Sequence, residues 1–280
     1  MCKNRWLVAF WSGWLLLDFT PSCGQDRVGV QLYTFRDQLA KDVPAALAKI
    51  NQMGFKYLEG GTTYGMDPQE FKDIIIGYGM QVVSVGADFG ELQKDLAPVI
   101  QNARFWGAKY VVCFWIPHAG DNFTQDDLDK AIHVFNQAGK TLSEAGLTLC
   151  YHPHGFEFRP QGRGTMFDIL VEKTDPSFLS FEMDVFWVKH PGQDPVKLLK
   201  KYRQRWALMH LKDRQPGTPG NHNGRTDVES NVVLGTGDVG IYAIMKQARK
   251  NKISYYFIED ESSRSLEQVP QSLAYLKTIK

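Results

Sequence analysis

Short apolar runs alternate with longer amphipathic stretches along most of the chain, and this alternation limits the possible folds more than any other feature. The stretches between the runs, such as VPAALAKINQMG and IYAIMKQARKN, have the periodicity of helices. The runs are rich in β-branched and aromatic residues, and we predict strands at 28–33, 57–59, 81–85, 110–114, 148–152, 178–183, 206–210 and 255–259. Repeated βα units of this kind indicate a parallel sheet.

About eight strands with helices between them favour a single (β/α)₈ TIM barrel over an open doubly wound sheet, which usually has fewer strands. No GxGxxG or GxxxxGKS motif follows a predicted strand. With 280 residues and 43% hydrophobic content, the chain is long enough to bury one large core. We therefore predict one α/β domain, a barrel at 25–280.

The charge of the chain argues against nucleic acid as a partner. The net charge is +1, from 32 basic and 31 acidic residues, and no cluster of Lys and Arg stands out in the sequence. Binding to phosphate backbones needs a concentrated basic surface. A small molecule is the more plausible partner.

The first segment, 1–24, has the pattern of an export signal. A short basic start precedes the apolar run WLVAFWSGWLLL, and TPSCGQD follows it. We predict a signal peptide or a lipoprotein leader, with Cys23 as the candidate for lipidation. The protein is then exported, either periplasmic or lipid-anchored at the cell envelope, and touches a membrane only through the leader or lipid. An uncleaved membrane anchor is the alternative, which Asp18 disfavours.

Four potential metal ligands lie at or just beyond the ends of successive apolar runs. They are Glu157, Asp184, His210 and Glu259. Barrel enzymes place their chemistry at the carboxyl ends of the strands. Three carboxylates with one imidazole suit Mn²⁺, Mg²⁺, Co²⁺ or Zn²⁺. Each residue alone has a structural explanation, but three buried carboxylates close together are costly without a cation.

The chain resembles the xylose-isomerase-like barrel superfamily of sugar phosphate isomerases and epimerases, in particular its exported bacterial branch. The matching segments are VGVQLYTFRD, YHPHGFEF, FEMDVFWVKHPGQDP, MHLKDR, LGTGDVG and FIEDE. The resemblance implies a divalent ion, most often Mn²⁺, held by the four ligands named above. It implies a metal-dependent sugar isomerase or epimerase, which removes a proton next to a carbonyl through a metal-stabilised enediolate.

The segment YHPHGFE is similar to the corresponding segment of inosose dehydratases. This similarity implies a second candidate activity. The alternative is a lyase or dehydratase that acts on keto-sugars or 3-keto-glycosides. Glu157 and Glu259 are the candidate bases for either reaction, on opposite sides of the metal. His154 is the candidate acid, because imidazole titrates near neutral pH. We expect Glu157→Gln to abolish activity.

Further residues near the strand ends are candidates for binding a sugar or glycoside substrate. His152 either contacts the substrate or orients a ligand from outside the first coordination sphere, and Lys212 either holds a hydroxyl or pairs with Asp213. The full predicted set is His152, Lys212, Arg214, Trp115 and Trp187. The two tryptophans are also plausible as core residues.

Two functions of other kinds compete with these activities. One is a non-catalytic, carbohydrate-binding lipoprotein that retains the barrel. The other is a metal-dependent endonuclease of abasic sites, which resembles this barrel but uses more His ligands around several metals. The near-neutral charge and the single ligand set disfavour the endonuclease. A homo-oligomer is possible, since relatives are often dimers or tetramers.

Overall fold

A computed structural model describes residues 27–279 of the chain. The predicted leader at 1–24, with Cys23, lies outside these described residues. Eight of the described strands form one closed barrel in which every neighbouring pair is parallel. The predicted (β/α)₈ TIM barrel is therefore confirmed.

The strands that the structure describes include all eight predicted ones and four short additions. In chain order they are β1 (Val28–Gln31), β2 (Tyr57–Gly60), β3 (Gln81–Gly86), β4 (Tyr110–Cys113), β5 (Thr148–Tyr151), β6 (Pro160–Gln161), β7 (Gly164–Thr165), β8 (Leu179–Asp184), β9 (Trp206–Leu211), β10 (Asp213–Arg214), β11 (Asn231–Val232) and β12 (Tyr255–Ile258). Around the barrel the order is β1, β12, β9, β8, β5, β4, β3, β2. The pairs β6–β7 and β10–β11 are antiparallel and lie outside the barrel.

Helices pack around the barrel. They are α1 (Arg36–Lys41), α2 (Val43–Gln52), α3 (Pro68–Gly77), α4 (Phe89–Leu92), α5 (Ala97–Trp106), α6 (Gln125–Glu144), α7 (Met166–Lys173), α8 (Val185–Lys189), α9 (Pro195–Lys201), α10 (Ile241–Asn251) and α11 (Ser265–Thr278). The longest, α6, starts with a capping box in which Thr124 and Asp127 satisfy each other's backbone N–H groups. Between residues 27 and 279, no helix combines the length and apolar character needed to cross a bilayer.

Strand β8 shows how the sequence separates the two sides of the barrel wall. Leu179, Phe181 and Met183 belong to the large apolar core between the barrel and the helices. Because side chains alternate along a strand, Glu182 and Asp184 point into the barrel, where both are fully buried. A small apolar cluster inside the barrel lies below the polar residues and consists of Val83, Val112, Cys150, Leu208 and Phe257.

The stretch 213–233, which is rich in Gly, Pro, Asn and Arg, begins and ends with the paired strands β10 and β11. Asp213 is buried, and its carboxylate accepts hydrogen bonds from the N–H groups of Gly235, Gly237 and Val239 at 2.8, 3.1 and 3.1 Å. A Cβ atom on Gly237 would lie 2.2 Å from Asp213 Oδ1, so only glycine fits there. The LGTGDVG motif thus anchors the start of this stretch.

Candidate metal centre

A cavity of about 610 Å³ opens at the carboxyl ends of the barrel strands, as expected for a TIM-barrel enzyme. Its volume lies in the range of sites for small molecules. The wall carries three imidazoles and four carboxylates, those of His152, His154, His210, Asp88, Glu91, Glu259 and Glu261.

Three buried side chains from neighbouring strands converge beside this cavity, and two of them, His152 and His210, line it. His152, Asp184 and His210 each offer one ligand atom, and these atoms all lie within 4.8 Å of one another. Asp184 Oδ2 is 3.5 Å from His152 Nε2 and 4.0 Å from His210 Nδ1. His152 follows β5, whereas the other two lie on β8 and β9, so three adjacent strands build the group.

Two of these ligand atoms are buried polar atoms without a hydrogen bond. Among residues 27–279, neither His152 Nε2 nor Asp184 Oδ2 has a hydrogen-bond partner. Leaving such atoms unsatisfied is costly, and they are rare in native proteins. A cation bound between them would satisfy both, so the residues present fit a divalent metal ion.

Glu259 completes the group at the mouth of the cavity. Its Oε2 lies 3.2 Å from His210 Nδ1 and 3.4 Å from Lys212 Nζ. Burial opposes its ionisation, but Lys212 and His210 outweigh burial and hold the pKa of Glu259 well below its usual range. The four candidate ligands are therefore two imidazoles and two carboxylates, rather than the predicted one and three.

The electrostatics around His210 favour a positive charge at this place. Burial by itself would lower the pKa of His210, but Glu182, Glu259 and Glu59 together raise it well above its usual value. The ring therefore carries a proton that a metal ion would have to replace. Metal binding is then expected to release a proton.

Glu59, which the sequence analysis missed, holds the far side of the His210 ring. Its Oε1 lies 2.5 Å from His210 Nε2, and it also accepts hydrogen bonds from Gln31 Nε2 and Ser84 Oγ. Because Nε2–H is donated to Glu59, the proton that a metal ion would replace is the one on Nδ1, the ring nitrogen that faces Asp184 and Glu259. The carboxylate thus sets the tautomer that a ligand needs.

Glu182 lies beside Glu59, deeper in the barrel. Its Oε2 is 3.4 Å from His210 Nε2, and burial together with Glu59 raises the pKa of Glu182 well above its usual value. Glu59, Glu182 and His210 are also close enough to hold an ion. That group shares His210 with the first one, and both oxygens of Glu59 already accept hydrogen bonds.

Glu157, a predicted ligand and base, is not brought together with Asp184 and His210. It lies in a 3₁₀ turn, fully buried, where the Tyr151 hydroxyl donates to Oε1 and the Gly155 N–H donates to Oε2 at 2.9 Å. Burial raises its pKa to about 7. Glu157 lies away from the ligand group because β5 ends at Tyr151, six residues before it. His152, the first residue after the strand, faces the cavity instead.

His154 lies next to His152, with 3.2 Å between their Nδ1 atoms. If His152 donates from Nδ1, its Nε2 keeps the lone pair that faces Asp184. Burial, with a contribution from His152, lowers the pKa of His154 to about 3. The expected titration near neutral pH is therefore wrong for this environment, and the ring is neutral at pH 7.

The two predicted substrate tryptophans pack around His154. The ring centres of Trp115 and Trp187 lie 5.3 and 5.5 Å from that of His154. Trp115 also stacks on His118, and Trp187 is only 6% exposed. Both residues therefore support the imidazole, and much of their surface belongs to the core.

Lys212 and Arg214 have different positions. Lys212 is buried with its ammonium group beside Glu259 and Glu261 and 5.8 Å from the ring centre of Trp187, so it borders the candidate site. Arg214 makes two hydrogen bonds to Asp238, at 2.9 and 2.8 Å, and lines a separate recess. The structure does not bring Arg214 to the ligand group.

Comparisons with known proteins agree with this architecture. The sequence model of the xylose isomerase-like TIM barrel family matches residues 47–279. An inosose dehydratase from Geobacillus kaustophilus is 26% identical over 195 residues, which are 60% of this chain and 60% of that protein. The chain thus aligns with less than two thirds of that relative.

Two solved structures share the fold. A sugar phosphate isomerase/epimerase from Parabacteroides distasonis superposes with a TM-score of 0.77 at 24% identity, over 91% of this chain and 100% of that one. The IOLI protein, with a bound zinc atom, gives a TM-score of 0.68 at 12% identity, over 90% and 96%. Because the family model covers most of the chain, the protein belongs to the xylose isomerase-like TIM barrel family.

Proposed function

We propose that the protein is a divalent-metal-dependent carbon–oxygen lyase that acts on a keto-sugar, a cyclic keto-polyol or a 3-keto-glycoside. The observation that carries this proposal is the convergence of His152, Asp184 and His210, with Glu259, at the open end of the barrel. The inosose dehydratases similar to this chain support it.

The proposed metal ligands are His152 Nε2, Asp184 Oδ2, His210 Nδ1 and a carboxylate oxygen of Glu259. Two imidazoles beside two carboxylates suit Mn²⁺, Co²⁺ or Zn²⁺ better than Mg²⁺, which prefers oxygen ligands. When bound, the ion would act as a Lewis acid on the carbonyl of the substrate.

The residues of the chain itself handle the proton. Glu259 is ionised, lies at the cavity mouth and can take the proton from the carbon next to the carbonyl. The same carboxyl can return that proton to the oxygen that leaves the neighbouring carbon, so water or an alcohol departs as a neutral molecule. Neutral His154 can hydrogen-bond to the departing oxygen, and buried Lys212 keeps Glu259 charged.

The position of Glu157 favours elimination over epimerisation. Epimerisation by two bases needs a proton-transfer group on each face of the substrate. Of the two bases that we predicted, only Glu259 lines the cavity, because Glu157 is held by Tyr151 and backbone N–H groups. An elimination can proceed with one such group.

Incubation with keto-sugars and 3-keto-glycosides in D₂O, with Mn²⁺ or Zn²⁺ and detection by NMR, tests this function. We expect loss of a hydroxyl or alkoxyl substituent and a new carbon–carbon double bond. Deuterium at one carbon with the skeleton retained would instead indicate the isomerase or epimerase. Sugar binding without exchange or product would indicate the non-catalytic carbohydrate-binding protein.

Glu59→Gln is expected to weaken metal binding by about 10- to 100-fold, because the carboxylate that orients His210 is lost. Competition with a chromogenic chelator measures the affinity. Ser84→Ala is the matched control, since it removes another hydrogen bond of Glu59 and leaves the one to His210 in place. Equal affinities of the Glu59 variant and the wild type would show that Glu59 does not position this ligand.

A further inference from the structure

The face of the barrel opposite the metal centre is strongly basic. This face is formed by the ends of the helices and by the segments that lead from each helix into the next strand. The last turns of α2, α5, α7, α9, α10 and α11 all contain Lys or Arg. We define the basic face by six residues, Arg27, Lys49, Lys109, Arg203, Lys252 and Lys277, all of which are exposed.

Few carboxylates balance this charge. The exposed acidic residues in the same helix ends and connections are Glu144, Glu172 and Asp175. Within residues 27–279, none of the six residues of the basic face forms an ion pair with a carboxylate. The chain as a whole carries a net charge of only +1, whereas the exposed basic residues outnumber the exposed acidic ones on this face.

Helix ends alone do not account for the pattern. Cations are favoured in the last turn of a helix, which explains Lys49 and Lys277. Arg27 and Lys109 lie outside the helices, directly before β1 and β4. Their positive charges lie on this surface although neither residue is placed where it could stabilise the end of a helix.

A recess of about 460 Å³ opens on the same face. Arg27, Lys56 and Lys277 contribute cationic groups to its wall, and Phe55 and Leu276 contribute apolar surface. Such a recess suits a group that is anionic at one end and apolar at the other. A phospholipid headgroup with the start of its acyl region has this chemistry.

The chain also enters the barrel at this face. Arg27 directly precedes β1, and the predicted lipidation site Cys23 is four residues earlier. Four residues span at most about 14 Å. A lipid or leader attached there would keep this face close to the membrane surface.

From charge, recess and chain entry together, we propose that the basic face docks on an anionic phospholipid bilayer, with the metal centre directed away from it. Each basic residue near an anionic membrane strengthens binding about fivefold. The interaction is electrostatic, so it weakens as salt shortens the screening length.

Vesicle binding of the full chain tests this proposal. The measured quantity is the ratio of partition coefficients for vesicles with about 30 mol % phosphatidylglycerol and for pure phosphatidylcholine. The ratio cancels the contribution of the apolar leader. The test variant combines K49Q, K109Q, K252Q and K277Q; its control combines K41Q, K94Q, K130Q and K246Q, which removes the same charge from exposed sites elsewhere.

We expect the ratio of partition coefficients to fall at least about 20-fold in the basic-face variant. In the control variant the ratio should stay within about threefold of the wild-type value. Metal content and circular dichroism should be unchanged in both, because neither variant touches the metal centre. The proposal is overturned if the basic-face variant keeps its preference, or if the control loses as much.

Discussion

Asp184→Asn is expected to abolish stoichiometric binding of the divalent ion and to lower kcat/KM by about a thousandfold or more, since a Lewis acid contributes several kcal/mol to such a reaction. Asn keeps the oxygen that caps α8, where Oδ1 accepts from the N–H groups of Phe186 and Trp187 at 2.7 and 3.0 Å. It removes the charge at Oδ2, the atom that faces His152. Metal analysis and steady-state kinetics measure the two effects.

Asp194→Asn is the matched control for this variant. Asp194 caps α9 in the same way, through Oδ1 and the N–H groups of Val196 and Lys197, but it is exposed. Its variant should keep full metal content and activity. An Asp184 variant with the metal content of the wild type would remove Asp184 from the ligand set.

His152→Ala and Glu157→Gln are expected to have opposite effects. The His152 variant should stay folded, lose the metal ion and lose about a thousandfold in kcat/KM, because it deletes a ligand atom. The Glu157 variant should keep the metal ion but lose about 1–3 kcal/mol in free energy of unfolding, since the NH2 group that replaces one carboxylate oxygen cannot accept the hydrogen bonds which that oxygen accepts.

Metal titration and urea denaturation separate the two outcomes, and Tyr151→Phe serves as a control. That variant removes the hydroxyl that donates to Glu157 without touching the cavity, so it should lower stability and leave metal affinity unchanged. If the Glu157 variant lost the metal ion and the His152 variant kept it, the ligand set predicted from the sequence would be correct, with Glu157 as a ligand in place of His152.

The fold could be predicted from the sequence because each barrel strand has a local signal. The strand pattern at 178–183 and the apolar outward positions of β8, such as Phe181 and Met183, follow from period-two alternation alone. The pairs β6–β7 and β10–β11 were missed because strands of two residues have no period. The burial of Asp213 by a glycine-rich turn depends on contacts more than twenty residues apart.

The candidate ligand site was predicted only in part from the sequence, and the differences between the two ligand sets have a common cause. Asp184 and His210 end or nearly end their strands, so sequence position placed them well. The choice between His152 and Glu157 depended on where β5 stops, and strand ends are poorly defined in a sequence. Alternation with Cys150 is the signal that could have identified His152 as an inward residue. Glu59 contacts His210 across 151 positions, which no local pattern reveals.

The most direct test of the metal centre is a crystal structure of the protein loaded with Mn²⁺ or Zn²⁺, with the ion located by anomalous scattering. We predict one peak about 2.0–2.2 Å from His152 Nε2, Asp184 Oδ2, His210 Nδ1 and a carboxylate oxygen of Glu259. A peak beside Glu157, a peak between Glu59 and Glu182, or no peak at the barrel mouth in metal-saturated protein would contradict the account.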